Sequence, residues 1–492
     1  MLFGQLQPTP ARRYRLSEKI EKFEGGFSKA LRLHRADGTE LIAKIPCLNA
    51  GSAKYTTAGE VAVLQYAREH TDIPVPCFYA WSADASNPVG AEYIIMDTAS
   101  GVQLFRLWDR LEEQYKLAII QKLVKWESQL MLIKFPAYGC VYPRHFLPDN
   151  ERKADLPTDI DQSGSYCIGR PCDPAWSGVP EDVTLGPWLS LTDFGIVLAK
   201  RGIYCISQDG KGVHTGSHRG TPAEHIFLLE TTIKVMEVLG THSDLLRHSK
   251  PTLCHTDLHM GNIFVSEDDP SQTSAVVDWQ FTQIGPMFLQ ARWPVFLTPP
   301  KDYQVGIVKP RLPDDYEDLD EEGKQEADHR FEQATTAKAY ELRCFLDNKD
   351  AYDAMHLPRV YRELFMRYGN TWEEGPAPLR ACLLAISNAW DELDLPSECP
   401  YTWQAADIQK HEQQFEEYQE WRRARDFAEE YLGTDADGWI PPEIDFNKKQ
   451  EQNKALFALY AEQMAGQMSQ EEISMIWPFP STEPARSPFN TC

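Results

Sequence analysis

The stretch "PTLCHTDLHMGNIFV" (residues 251–265) decides how this chain is read. Asn262 follows Asp257 by five residues, and Asp278, in "AVVDWQ", follows Asp257 by 21. Between them "NIFVSEDDPSQTSAVVD" is apolar on both arms and polar at its middle, the pattern of a β-hairpin. A hairpin of that length returns Asp278 to the level of Asn262. Two carboxylates and an amide then share one small region.

That spacing matches what phosphoryl transfer from a nucleotide requires. The protein must supply donors for the phosphates, ligands for magnesium and a carboxylate beside the acceptor hydroxyl. In kinase-type sites the aspartate and the metal-binding asparagine lie five residues apart on one loop, with a second metal-binding aspartate about twenty residues on. Asp257, Asn262 and Asp278 meet that ruler. A competing triplet, Asp193-Phe194-Gly195 in "SLTDFGIVLAK" (190–200), does not. No His-x-Asp with an asparagine five residues later precedes it, and "RHFLPDN" (144–150) has the wrong internal spacing. The reading of "LTDFG" is therefore a helix start outside the site. His255, Asp257 and His259 alternate, which is also a mixture that binds metals in hydrolases. That alternative leaves Asn262 and Asp278 without a role.

Upstream, residues 27–45 read as two strands joined at Asp37-Gly38. "EGGFSKALRL" (24–33) places a glycine turn, Gly25, Gly26, Phe27 and Ser28, where backbone N–H groups can approach a polyphosphate. Lys44 lies on the returning strand, where a phosphate-pairing lysine belongs. Residues 56–70 read as a helix in which Glu60 has two possible partners, an ion pair with Lys44 or a capping box with Thr57. Glu69 is a second candidate partner for Lys44. "IPVPCFYAWSA" and "GAEYIIMD" read as short strands.

Beyond Gly101 the texture becomes helical. Residues 112–133 and 223–239 show apolar positions at helical spacing, the latter ending at Gly240. Residues 140–190, rich in Pro, Gly and Asp, read as an extended loop. Stretches 261–265 and 274–279 read as strands, and the chain after 330 as charged amphipathic helix. Phe415, Tyr418 and Trp421 repeat at helical spacing as core residues. The acidic run 313–328 reads as a solvated face, and "WPFPSTEPARSPFNTC" as a loose tail.

The 492 residues carry 42% hydrophobic side chains and 13 tryptophans, enough for two lobes with a shared core. No apolar window is long enough to span a membrane. A net charge of −24 repels phosphate backbones and anionic lipid, which weighs against nucleic acid as a partner. Eleven cysteines without a Cys-x-x-Cys pair fit reduced thiols inside the cell. The first residues, "MLFGQLQPTPARRYRLSEK", hold arginines but show no clear secretion or mitochondrial presequence.

Together, "EGGFSKALRL", "LIAKIPCLNAG", "EVAVLQYAREHTDIPVP", "YIIMD", "CIGRP", "GPW", "HTDLHMGNIFV" and "VVDWQFTQIGPMFLQA" resemble the aminoglycoside phosphotransferase (choline kinase-like) superfamily, including fungal phosphotransferase-family proteins of the altered-inheritance-of-mitochondria type. The resemblance covers roughly 20–300 and implies an α+β, two-lobed protein-kinase-like fold. In it a small β-rich amino-terminal lobe (1–100) binds nucleotide. A large, mostly helical lobe (101–475) carries the catalytic loop and a long 140–220 insertion, and 476–492 form the tail. It further implies ATP and Mg2+ as cofactors, Asp257 as catalytic base, and Asn262 and Asp278 as metal ligands. Lys44 becomes the phosphate lysine, and Ile95, Met96 and Asp97 the hinge that binds the purine. Mitochondrial location is implied by the same resemblance, with the cytoplasm as the other possibility. Antibiotic kinases usually carry glycine at the position of Thr256, and often Asp-Trp-Glu or Asp-Phe-Gly where this chain has Asp-Trp-Gln. Those departures and the insertion point away from an aminoglycoside acceptor. The expectation is a phosphotransferase acting on a small-molecule hydroxyl; the rival is a kinase-fold binding or scaffold protein without activity.

Overall fold

The structure is a computed structural model that describes residues 16–180, 186–208, 217–434, 445–466 and 468–479. Its amino-terminal lobe is a five-stranded antiparallel sheet of β1 (Leu16–Glu24), β2 (Ser28–Arg35), β3 (Glu40–Pro46), β4 (Phe78–Ser82) and β5 (Tyr93–Asp97), in the order β1-β2-β3-β5-β4. Asp37 shapes the β2–β3 turn by accepting from the Thr39 N–H and hydroxyl. Gly38 takes φ +85° there, a conformation open to glycine at little cost. Helix α1 (Tyr55–His70) connects β3 to β4 and is buried along most of its length. Ala58, Val61, Ala62, Val63, Tyr66 and Ala67 are each at most 1% exposed. It is a core element rather than a surface helix.

After β5 the chain crosses to the second lobe through Thr98–Gly101. Gly101 has φ +82°, and a Cβ there would lie 2.1 Å from the Val265 carbonyl oxygen. That close approach lets β6 (Val102–Gln103) pair with β11 (Ile263–Val265), which pairs in turn with β12 (Thr273–Val276). The interlobe connection and the 262–278 hairpin thus form one three-stranded sheet, order β12-β11-β6.

Around this sheet lies helical structure: α2 (Glu113–Leu132), α3 (Leu191–Gln208), α4 (Pro222–Leu239), α5 (Ser243–Arg247), α6 (Met287–Gln290), α7 (Glu321–Asp347), α8 (Lys349–Met355), α9 (Arg359–Gly369), α10 (Thr371–Glu374) and α11 (Ala377–Asn388). One continuous apolar core runs from Ala62 of α1 to Leu395. A second core joins α12 (Ala405–Leu432), α13 (Phe446–Gln463) and α14 (Gln470–Ile476) through Tyr418, Trp421, Leu456 and Tyr460. The chain is a two-lobed kinase-like fold with a β-rich first lobe and a mostly helical second one.

Two expectations need correction. Residues 140–190 are not simply an extended loop: β7 (Cys140–Pro143), β8 (Ala154–Asp155) and β9 (Tyr166–Gly169) form a sheet ordered β7-β9-β8 against α1. Trp477, placed in the loose tail, is 6% exposed and donates from Nε1 to Asn453; residues 480–492 lie outside the described part. Gly240 caps α4 as its sequence position indicates, with φ −67°. It is needed because a Cβ would overlap the Thr192 hydroxyl at 1.7 Å. Asp193 does sit in the first turn of α3, with Ser190 Oγ accepting its N–H. The acidic run 313–328 is mostly exposed.

One buried carboxylate ties the 303–306 loop to α7. Glu341, 0% exposed, accepts from Lys338 Nζ (2.6 Å), Gly306 N–H (2.6 Å), His356 Nε2 (2.8 Å) and the Tyr303 hydroxyl. Burial pushes its pKa up, but the hydrogen bonds from His356, Lys338, Tyr303 and Gly306 pull harder and hold it at about 2. Glu341→Ala strands the buried Lys338 and is expected to cost roughly 3–5 kcal/mol in urea unfolding. Because the folded pKa lies below the ordinary 4.5, Glu341's contribution is complete above pH 4.5 and disappears as pH falls toward 2. The stability gap between wild type and Glu341→Gln should shrink across that window.

Candidate active site

The sheet and α1 converge on one ammonium group. Lys44 sits on the central strand β3, flanked by Ala30 of β2 and Ile94 of β5, so its side chain enters the interlobe cleft. Its Nζ lies 2.6 Å from Glu60 Oε1 and 2.6 Å from Asp278 Oδ1. Lys44 and Glu60 are 7% and 4% exposed. Burial disfavours the ammonium, yet Glu60 and Asp278 outweigh it and hold its pKa above the ordinary value. Partial burial works against the Asp278 charge, and Lys44 outweighs it, keeping that carboxyl below its ordinary range. Glu60 is pushed up by burial, with Lys44 pulling against it.

Glu60 is free to reach Lys44 because the local alternative does not form. Helix α1 begins at Tyr55, ahead of Thr57, and Lys54 at its N-terminus offers no side-chain cap. Glu92, from the β4–β5 connection, serves instead. Its carboxylate accepts the Lys54 N–H at 2.7 Å and the Thr57 hydroxyl at 2.6 Å. An anion at a helix N-terminus satisfies an orphan donor and faces the positive end of the dipole. Glu69, the other candidate partner for Lys44, accepts from Tyr166 and Gln65 instead.

The 255–278 segment supplies the opposite wall. His255 Nδ1 accepts the Asp257 N–H at 3.2 Å, which leaves Nε2 to donate to the Val277 carbonyl at 3.0 Å. Burial lowers the pKa of this imidazole, in keeping with that neutral tautomer. The ring braces the loop against the strand leading to Asp278. Asn262 Nδ2 donates to the Asp257 carbonyl at 2.9 Å, and the Asn262 carbonyl accepts from Val277 at 2.9 Å. The amide oxygen Oδ1 is therefore the end left for a ligand. Asp257 is exposed, and the adjacent His259 ring holds its carboxyl below the ordinary range. Asp278 adopts φ +61°, a left-handed conformation that costs a non-glycine residue about 1 kcal/mol or more.

Between the walls lies a cleft of about 420 Å³. Ile42, Lys44, Glu60, Leu64, Asn262, Phe264 and Asp278 line it. Of the glycine turn, Ser28 lines the cleft whereas Gly25, Gly26 and Phe27 do not. They form the bend at its rim, where Gly25 N–H donates to the Ser28 carbonyl and Asn49 Nδ2 to the Gly26 carbonyl. Of the expected hinge residues, Met96 and Asp97 line the cleft, joined by Thr98 and Ala99, and Ile95 does not. Alternation along β5 turns Ile95 to the other face. Sequence reasoning missed Gln103, which donates to the Gly261 carbonyl at 2.9 Å, and Arg106 at the cleft mouth. It also missed Phe281, whose ring meets Phe27 edge-on at 5.2 Å across the lobes. None of the three belongs to a spaced motif.

The donor set suits a divalent cation complexed to phosphate. One ammonium serves two carboxylates in the triangle, and Asp257 adds a third anion. Asn262 and Asp278 offer hard oxygen donors, the type magnesium selects. No group of three His, Cys, Asp or Glu side chains arranged to hold a metal ion by themselves occurs among the described residues. His255, Asp257 and His259 are not such a group, and both ring nitrogens of His255 are engaged, by the Asp257 N–H and the Val277 carbonyl.

The arrangement is that of a kinase-like fold. Residues 222–289, which span α4 through the Asp257–Asp278 segment, match the family described as "Phosphotransferase enzyme family". Over 94% of its length the chain is similar to a subtelomeric hrmA-associated cluster protein of Aspergillus fumigatus, at 28% identity and with 96% of that protein covered. It is also similar to altered inheritance of mitochondria protein 9 of Saccharomyces cerevisiae, at 23% identity over 81% of this chain and 68% of the relative. Among solved structures, 75% of the chain aligns with 95% of a fructosamine-3-kinase-type protein of Thermobifida fusca, at 12% identity and a TM-score of 0.38.

Glu92 offers a test of how α1 is held. Glu92→Ala removes the acceptor for Lys54 N–H and Thr57, and the expected loss is about 1–2 kcal/mol of stability. Hydrogen exchange should quicken at the first turn of α1 while α2 is unchanged.

Proposed function

We propose that this protein is an ATP-dependent phosphotransferase that moves the terminal phosphoryl group to a hydroxyl of a small molecule. The observation that carries the reading is the meeting of Lys44, Glu60 and Asp278 at 2.6 Å contacts, with Asn262 on the same cleft and Asp257 bonded to it. Lys44, fixed by Glu60, presents its remaining donor capacity to the phosphates. Asn262 Oδ1 and the second oxygen of Asp278 are the groups that would hold Mg2+, which would offset charge on the phosphate oxygens. The backbone at Gly25–Ser28 closes over the phosphate end, and Met96–Ala99 supports the base. Asp257 orients the acceptor hydroxyl and takes its proton as the oxygen attacks in line. A lowered carboxyl pKa keeps it ionised at neutral pH. His255 acts through the loop it braces and does not touch the reacting atoms.

A net charge of −24 favours a neutral or cationic acceptor over nucleic acid. Relatives named as mitochondrial support a mitochondrial site of action.

Two measurements test the reading. Mg-ATP at about 100 times its Kd should stabilise the protein by about 2.7 kcal/mol, and Asp278→Asn should abolish the magnesium-dependent part of that shift. Asp257→Asn should retain the shift yet lose roughly 10²–10⁴-fold in phosphoryl transfer. Wild type that shows the shift but no transfer, with any hydroxyl compound in a broad metabolite screen, would establish the inactive-binder alternative instead.

A further inference from the structure

Against α1, at Gly59, two thiols face each other. Cys140 opens β7 and Cys172 follows β9, 32 positions later, and their sulfurs are 3.2 Å apart. They are 0% and 1% exposed. A Cβ at Gly59, the residue before Glu60, would lie 2.8 Å from Cys140 Sγ and 3.6 Å from Cys172 Sγ. Cys140 Sγ also lies 3.6 Å from the carbonyl of Thr282, four residues beyond Asp278, and Thr56 of α1 bonds the Cys172 carbonyl at 3.3 Å. The pair therefore touches the two elements that carry Glu60 and Asp278.

We propose that Cys140 and Cys172 are a disulfide-forming pair, oxidised by exchange with a disulfide of the glutathione or dithiol-protein class. One protein thiolate attacks the carrier disulfide, forming a mixed disulfide and releasing one carrier thiol. The second protein thiolate then displaces the other carrier thiol and closes the protein S–S bond. Two protein thiols lose two electrons and two protons in total, and the carrier disulfide gains both. An S–S bond measures about 2.05 Å, so the sulfurs approach by roughly 1.2 Å from their present contact. Cys167 shares the same apolar cluster, but sits within β9 opposite Tyr142 and is not placed sulfur to sulfur with Cys140.

Closure welds the β7 end to the loop after β9 directly under Gly59. The bond preserves the platform on which α1 rests, and its formation is slow once the chain has folded. The hydrogen bond with Cys140, together with burial, raises the Cys172 thiol above its ordinary range and keeps it protonated. Exchange therefore takes place during folding or through local opening.

The test begins with the full chain, refolded in a glutathione and glutathione-disulfide buffer so that both thiols pass through an exposed state. Remaining thiols are alkylated in denaturant and the protein is digested without reductant. The expected product is a linked peptide pair joining Cys140 to Cys172, about 2 Da lighter than the two thiol peptides together. Cys172→Ser lacks it, and the oxidised wild type unfolds at a higher temperature than the same sample after reduction. Recovery of both residues as alkylated thiols, or of Cys140 joined to Cys167, overturns the proposal. Nucleotide takes no part in this readout, so its outcome is independent of the phosphotransferase reading.

Discussion

One ammonium group between two carboxylates organises this molecule. Lys44 comes from the first lobe's sheet, Glu60 from the helix behind it, and Asp278 from the second lobe. A lone buried lysine would cost several kcal/mol in lost hydration, so each carboxylate has to be delivered close to it. That demand fixes three elements at once: the tilt of α1, the height of β3 and the approach of the two lobes. It also leaves the region short of positive charge. Lys44 cannot neutralise Glu60, Asp278 and Asp257 together, and the negative charge left over is what a divalent cation would offset.

The supporting residues make sense as ways of meeting that demand. Glu92 caps α1 from outside, which spares Glu60 from the capping role its distance from Thr57 offered. Gly59 lets the helix settle onto Cys140 and Cys172 with no side chain between. Gly101 brings the interlobe connection against Val265, so the strand leaving the hinge and the hairpin bearing Asn262 share a sheet. Asp278 is bent into a left-handed conformation that few aspartates adopt, and its ion pair with Lys44 offsets the cost. Strain at that position and short contacts around it are two sides of the same constraint.

The sequence exposed the parts of this arrangement that depend on spacing along one hairpin or one strand. Asp257, Asn262 and Asp278 were readable because loop and hairpin lengths alone place them together, and Lys44 because it lies on the strand returning from Asp37-Gly38. Parts that depend on contacts distant in sequence were not. The sheet of β7, β8 and β9 is built from strands of two to four residues, too short for an alternating pattern to emerge from a Pro- and Gly-rich background. Of the Ile95–Asp97 stretch, Met96 and Asp97 line the cleft and Ile95 does not, because successive strand residues face opposite sides. Trp477 looked like tail by composition, yet its indole N–H finds Asn453, a partner 24 positions earlier.

The Asp193-Phe194-Gly195 triplet shows why residue types alone do not make a site. Here the Asp193 N–H is taken by Ser190 at the start of α3, Phe194 stacks near Phe365 with ring centroids 6.2 Å apart, and Gly195 admits Met236 of α4. A Cβ at Gly195 would lie 2.4 Å from the Met236 methyl, so the glycine is there for helix packing rather than for a turn. Each residue answers a local need of a helix start in an apolar interior. In the 255–278 segment the polar groups answer one another instead: His255 to Val277, Asn262 to Asp257, Asp278 to Lys44. A carboxylate becomes chemically useful when its neighbours are satisfied by each other and its remaining oxygen is left facing the cleft. Asp278 meets that condition, with one oxygen on Lys44 and its side chain on the cleft wall, whereas Asp193 lies on a helix outside it.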